Sequence, residues 1–180
     1  MLKALLVDHH DSFTHNIKAW LKPRFAVSIV DYTEVEKINA LEFDLIIFSP
    51  GPKTPSDYPL SKNFLKAVPM NKPVLGICLG MQMMNEIENG TVSEYFPPVH
   101  GKTSSLVSTL TQFNNLQVAR YHSLKCEIAA TFETIASSES IPMIVRHKQK
   151  NWLGLQFHPE SFLTEKPEKF LQAVVELCSR

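Results

Sequence analysis

No stretch of the 180 residues approaches the ~20 consecutive apolar side chains needed to span a bilayer. An excess of one charge is equally absent, since 18 basic residues face 18 acidic ones and neither half of the chain is far from balance. Without a basic face for polyphosphate, nucleic-acid binding is excluded as a principal role. Cysteine is scarce: Cys78, Cys126 and Cys178 are too few and too scattered for a disulfide framework or a zinc site. We find no P-loop pattern, internal repeat, low-complexity tract or linker. The opening Met1-Leu2-Lys3-Ala4-Leu5-Leu6-Val7-Asp8 is too short and too soon acidic for a secretory leader. These absences predict one globular domain over residues 1–180, cytoplasmic, with 44% apolar residues to build its core.

What is present has a clear rhythm. Residues 2–7 (LKALLV), 25–30 (FAVSIV), 43–48 (FDLIIF) and 74–77 (VLGI) are short apolar runs, the mark of strands buried on both faces. Between them the spacing predicts helices over 13–21, capped by Ser12 and stopped by Pro23, over 57–68, and over 81–88. Strands alternating with helices argue for an α/β fold, a mostly parallel open sheet with helices on both faces. Residues 101–160 change character, with the short β-type runs LVSTL, LQVARYH, PMIVRH and WLGLQFH and no convincing helix. They predict an antiparallel ribbon added towards the C-terminus. A last amphipathic helix is predicted over about 167–178.

Gly76-Ile77-Cys78-Leu79-Gly80 is the most informative stretch. It lies between a strand and a helix, so Cys78 sits on a tight, strained turn at the carboxyl end of the sheet, where open α/β sheets hold their ligands. The flanking glycines remove side chains that would crowd the turn. The start of the following helix favours a thiolate, the reactive form. A free cysteine is most often a buried, inert one; the G-x-C-x-G frame points instead to a nucleophile. Cys126 and Cys178 have no such frame and read as structural.

A thiol nucleophile requires a base, and the base an orienting acceptor. Of the seven histidines only His158, in Gln156-Phe157-His158-Pro159-Glu160 at the end of the run WLGLQF, has a carboxylate placed for the orienting role. Residues two apart on extended backbone project to one side, so an extended segment would let Glu160 bond the imidazole. Pro159 favours that conformation.

GICLGMQ, QFHPES, SPGP, HGKTS and RYHSL together resemble the triad (class I) glutamine amidotransferases. Within them the likeness is nearest to the glutaminase subunits of anthranilate synthase and aminodeoxychorismate synthase, and it runs nearly end to end. The resemblance implies a flavodoxin-like fold and hydrolysis of L-glutamine to glutamate and ammonia. It gives Cys78 the role of nucleophile, His158 that of base and then acid, and Glu160 that of orienting group. Backbone amides of Gly51 and Leu79 would form the oxyanion hole. Gln82 and the backbone of Ser123 and Leu124, with Gly51, would hold glutamine, although helix position alone reads Gln82 as exposed.

Three departures from the family pattern stand out. Met81 takes the place of a histidine beside the nucleophile, where an effect on packing rather than chemistry is expected. Lys53 takes the place of a glycine, which matters only if its backbone conformation requires one. His9 and His10 interrupt the opening loop. The cluster Asp8-His9-His10-Asp11 has the side chains of a zinc or nickel site. Adjacent residues at a strand end point apart, so no metal is predicted and a partner-contacting loop is expected, as for His100–Ser104.

Ammonia must reach an acceptor before it is protonated, and one α/β domain uses all 180 residues. A second chain is therefore expected. By resemblance it is a chorismate-binding synthase subunit that carries its own magnesium, with no cofactor in this chain. HGKTS leans towards the aminodeoxychorismate type. The competing readings are a regulatory subunit with a vestigial triad and a stand-alone γ-glutamyl cysteine hydrolase.

Overall fold

A computed structural model gives the structure of residues 1–179. The first half contains β1 (Leu2–Asp8), α1 (Thr14–Leu21), β2 (Phe25–Asp31), β3 (Leu45–Phe48), α2 (Pro59–Ala67), β4 (Val74–Ile77) and α3 (Leu79–Ile87). The second contains β5 (Thr91–Ser105), β6 (Val107–Ser108), β7 (Gln117–Glu127), β8 (Phe132–Ser138), β9 (Ile141–His147), β10 (Trp152–Leu155) and α4 (Pro167–Leu177).

The main sheet has the order β2-β1-β3-β4-β10-β9-β8-β6. Its first five strands are parallel and the remaining three join antiparallel. The parallel strands read as apolar runs because both their faces are covered. Ala4 and Leu6 of β1 pack with Ile17 and Leu21 of α1 and with Phe170 and Val174 of α4. Leu5 and Val7, one residue out of phase, pack with Phe64 and Leu65 of α2 and with Met81 and Met84 of α3. The two-residue side-chain period of a strand thus divides the core into two layers. At about 1.5–3 kcal/mol for each large apolar side chain buried, these layers are the main stabilising term.

The predicted fold class holds, with a different division of its second half. WLGL is the fifth parallel strand, inserted centrally beside β4, rather than part of a ribbon. The separate ribbon, β5 paired with β7, comes from the middle of the chain. Two strands of this half were not legible as strands. β5 contains Phe96-Pro97-Pro98 and is half-buried or exposed throughout, so it lacks an apolar face to betray it. β8 (FETIASS) is short of large apolar residues and is covered only after folding. Ser12 does not cap α1. The entry is held by Asp11 Oδ1, which accepts from the Phe13 amide at 2.8 Å, and by Asp8 Oδ1, which accepts from Thr14 Oγ1 at 2.7 Å.

Candidate active site

The loops at the carboxyl ends of β1, β3, β4 and β10 converge. Cys78 follows β4 directly and has φ 50°, ψ −102°, a positive-φ conformation rare for a residue with a Cβ. Its amide donates to Leu155 O at 2.7 Å, which ties the strained turn to β10. The turn is this tight because α3 lies against the end of β3: a Cβ on Gly80 would be 2.3 Å from Phe48 O. Leu79 is the first residue of α3, where an amide has no intrahelical acceptor. Gly51 lies against it, since a Cβ there would be 2.7 Å from both Leu79 Cδ2 and His9 Cβ.

His158 and Glu160 form a closed pair. His158 Nδ1 and Glu160 Oε1 are 2.7 Å apart, with side-chain exposures of 2% and 0%. The backbone does not take the extended path read from the sequence. Ser161 N donates to His158 O at 3.3 Å, so His158–Ser161 is a turn, and Thr164 Oγ1 donates to the same carbonyl at 2.6 Å. Pro159 suits the second position of a turn as well as it suits a strand, which is why the contact was predicted for the wrong reason. Phe13 and Tyr121 flank the imidazole at centroid distances of 5.0 and 5.1 Å. Burial alone would lower the His158 pKa. Contacts with Cys78 and Glu160 outweigh it and raise the pKa well above the usual imidazole value, favouring the imidazolium. Nε2 is buried with no hydrogen-bond partner that meets ordinary geometry. Cys126 and Cys178, by contrast, are pushed up by burial to about 12 and about 11, consistent with inert thiols.

Gln82 is buried at 2% exposure rather than exposed. Its Nε2 donates to Gln156 Oε1 at 3.2 Å, and Gln156 Nε2 donates to Cys78 Sγ at 3.5 Å. Gln156 escaped the sequence reading. The signal for it was a polar residue between apolar Leu155 and Phe157, which must find a partner when buried. Ser123 is exposed and Leu124 half-buried on β7, and no hydrogen bond joins either to Cys78, Gln82 or His158. Leu124 connects instead to a buried cluster. His122 Nδ1 donates to Leu124 O at 2.8 Å, while its Nε2 accepts from Arg120 Nε at 3.1 Å. Arg120 Nη1 donates to Glu139 Oε2 at 2.6 Å. Burial, aided by the Arg120 charge, lowers the His122 pKa to about 4.

The departures also find their places. Met81 is fully buried and fills the space beside Gly154, a packing role. Lys53 has φ 67°, the conformation glycine adopts most readily, so a side chain there carries strain of about 1 kcal/mol. His9 and His10 point apart. His9 is buried between Ser49 Oγ and Ser61 Oγ, each 3.0 Å from a ring nitrogen, and burial lowers its pKa to about 4. His10 is on the surface beside Asp31, with Nε2 to Oδ2 at 2.5 Å. Among the described residues no three His, Cys, Asp or Glu side chains are grouped to hold a metal ion. Surface clefts of about 470 Å³ near His147 and 530 Å³ near Gln172 contain none of the predicted site residues. No helix among the described residues is long and apolar enough to cross a membrane.

Comparison with known proteins places the chain in a family. The family model "Glutamine amidotransferase class-I" matches residues 5–177. Anthranilate synthase component 2 of Pseudomonas aeruginosa is 38% identical, over 93% of this chain and 92% of that protein. Aminodeoxychorismate synthase component 2 of Escherichia coli is 36% identical, over 93% and 96%. Among solved structures, a candidate GMP synthase component from Thermoplasma acidophilum superposes with a TM-score of 0.87 at 20% identity, over 99% and 94% of the two chains, a likeness of fold. The chain belongs to the class-I glutamine amidotransferase family.

Proposed function

We propose that Cys78, His158 and Glu160 form the catalytic triad of a glutaminase subunit that passes ammonia to a chorismate-using synthase partner. The observation that carries this reading is the buried His158. One ring nitrogen is held by Glu160, and the other is without a regular partner beside the strained Cys78.

For Sγ to attack, its proton must pass to His158, whose raised pKa suits it to hold that proton. Sγ attacks the side-chain carbonyl of L-glutamine. The oxyanion receives the amides of Gly51 and Leu79, helped by the positive end of α3. Collapse of the adduct expels ammonia, which takes the proton from His158 Nε2 and leaves a γ-glutamyl thioester. His158, now neutral, removes a proton from water, and hydrolysis releases glutamate and restores Cys78. Glu160 keeps the imidazole in the tautomer and orientation that both steps need. Gln82 and the Ser123–Leu124 backbone hold the amino-acid end of the substrate.

Free ammonia is useful only to a nearby electrophile, and the relatives named as second components of two chorismate-linked synthases support such a partner. Magnesium is assigned to that partner and none to this chain. Phe96 and Phe162, 90% and 91% exposed, are available as apolar contacts for it. An unoxidised thiol nucleophile suits the reducing cytoplasm.

The test is reconstitution with the chorismate-utilising synthase that copurifies, assayed with chorismate, glutamine and magnesium. Anthranilate or aminodeoxychorismate should form, and the product identifies the pathway. Cys78→Ala should abolish glutamine-dependent synthesis, by ~10³-fold or more, while free ammonia still supports it. Full glutamine-dependent activity in that variant would overturn the assignment, as would high activity on γ-glutamyl peptides without any partner.

A further inference from the structure

We infer that Gln156 is a positioning residue that aims the Cys78 sulfur and fixes which end of the Gln82 amide is offered to substrate. The inference rests on the reading of Cys78 as the nucleophile.

Gln156 follows the last residue of β10 and is fully buried. Its amide N–H donates to Met143 O at 2.9 Å, so its backbone is fixed by the edge of β9. Its side chain bridges two groups on neighbouring elements, Cys78 Sγ on the turn after β4 and Gln82 Nε2 on α3. A side-chain amide has one donor end and one acceptor end, and the chemistry of the sulfur decides which points where. Gln156 presents Nε2 to Cys78 and Oε1 to Gln82, the arrangement needed once the sulfur gives up its proton to attack, because it can then only accept.

That choice propagates. Facing the Gln156 oxygen, Gln82 must give its own Nε2, which leaves Gln82 Oε1 as the acceptor with no donor among the described residues. Such an acceptor suits a ligand N–H and disfavours a carboxylate oxygen. Gln156 thus couples the site of the nucleophile to the orientation in which the α-ammonium of glutamine, rather than its α-carboxylate, meets Gln82. The bridge also resists rotation of Sγ about the Cα–Cβ bond of Cys78. A misplaced nucleophile is costly, since about 1 Å of error can lower a rate by ~10²-fold.

The experiment compares Gln156→Leu and Gln156→Glu with the parent in the reconstituted complex. Both should fold, as judged by thermal unfolding. If the leucine variant does not, the near-isosteric Gln156→Glu carries the test alone, because it keeps the volume and replaces the donor with an acceptor. We expect kcat for glutamine hydrolysis to fall by ~10–10²-fold and KM for glutamine to rise. Alkylation of Cys78 by a glutamine-mimicking chloroketone should slow more than alkylation by iodoacetamide, which does not need Gln82. Gln82→Ala should add little to the KM of the Gln156 variant, the non-additivity of residues acting as a unit.

Values of kcat and KM within about twofold of the parent, equal slowing of both alkylations, or full additivity with Gln82→Ala would each overturn the inference. A folded Cys78→Ala protein that is still active would instead sink the nucleophile assignment. An inactive Cys78→Ala protein beside a fully active Gln156→Leu variant would sink this inference alone.

Discussion

The parallel half of the sheet and the β5–β7 ribbon make opposite use of their residues. β3, β4 and β10 are buried at every position, and the turns at their carboxyl ends carry Cys78, Gly51 and His158. β5 is half-buried or exposed along all 15 of its residues, and its partner β7 carries Ser123 and Leu124. In the sheet, position is enforced by backbone pressed against backbone. In the ribbon it is enforced by the β5–β7 ladder and by polar contacts, among them Arg120 to His122 and Glu139. The reacting groups thus sit where small displacements are expensive, and the segment assigned to recognition sits where they are cheaper.

A matched pair of glycine substitutions tests that contrast most strongly. Gly80→Ala drives a Cβ to 2.3 Å from the Phe48 carbonyl, at the packed end of β3. We expect a loss of about 3 kcal/mol or more in denaturant unfolding. Gly101→Ala, in the ribbon, meets only Tyr121 Cε1 at 3.5 Å and bears the strain of φ 67°, a cost of about 1 kcal/mol. Equal losses at the two positions would break the comparison.

Acid comes next, because each region buries one neutral histidine, His9 in the sheet half and His122 in the ribbon. Both have a pKa of about 4 when folded, against about 6.5 when unfolded. As pH falls from about 6.5 to 4 the unfolded chain takes up protons that the folded one refuses. Stability should fall by about 1.4 kcal/mol per pH unit for each group and level off for these two below about 4. His158 has the opposite sign: its stabilisation is complete below about 6.5 and is lost as pH rises through its elevated folded value. Chemical denaturation across this range should show a maximum near about pH 6.5. His122→Asn should remove about half of the acid slope, and an unchanged slope would contradict the assignment.

The smallest effect concerns recognition alone. Arg120→Met replaces a buried cation whose partner Glu139 is 62% exposed, so no charge is stranded. Stability should change by no more than ~1 kcal/mol. Freed of Arg120, His122 holds Leu124 less firmly, and KM for glutamine should rise about tenfold, equivalent to about 1.4 kcal/mol, with kcat little altered. A fall in kcat at constant KM would show that the ribbon serves the chemistry directly.

The same division explains what could be read from the chain. Strands buried on both faces announce themselves as apolar runs, so four of the five parallel strands, the helices and the elbow at Cys78 were legible, while β10 showed as a strand but not as a parallel one. The ribbon was only half legible, because β5 gains its order from pairing with β7 and shows no periodic apolar face. At the site, His158 and Glu160 were found through their spacing, although a turn rather than a strand brings them together. Gln156 was missed because its role depends on two partners 74 and 78 positions away in sequence. Arg120 and Glu139 meet through the β8–β9 hairpin, a long-range contact that spacing does not encode.

The central claim is that the four carboxyl-end turns converge to make Cys78, and no other thiol, the nucleophile. Mass spectrometry after treatment with one equivalent of a glutamine-mimicking electrophile tests it directly. The account predicts stoichiometric modification of Cys78, protection by L-glutamine, loss of labelling in His158→Ala, and no label on Cys126 or Cys178. Labelling of Cys126 or Cys178 instead, or a Cys78 that glutamine does not protect, would contradict it.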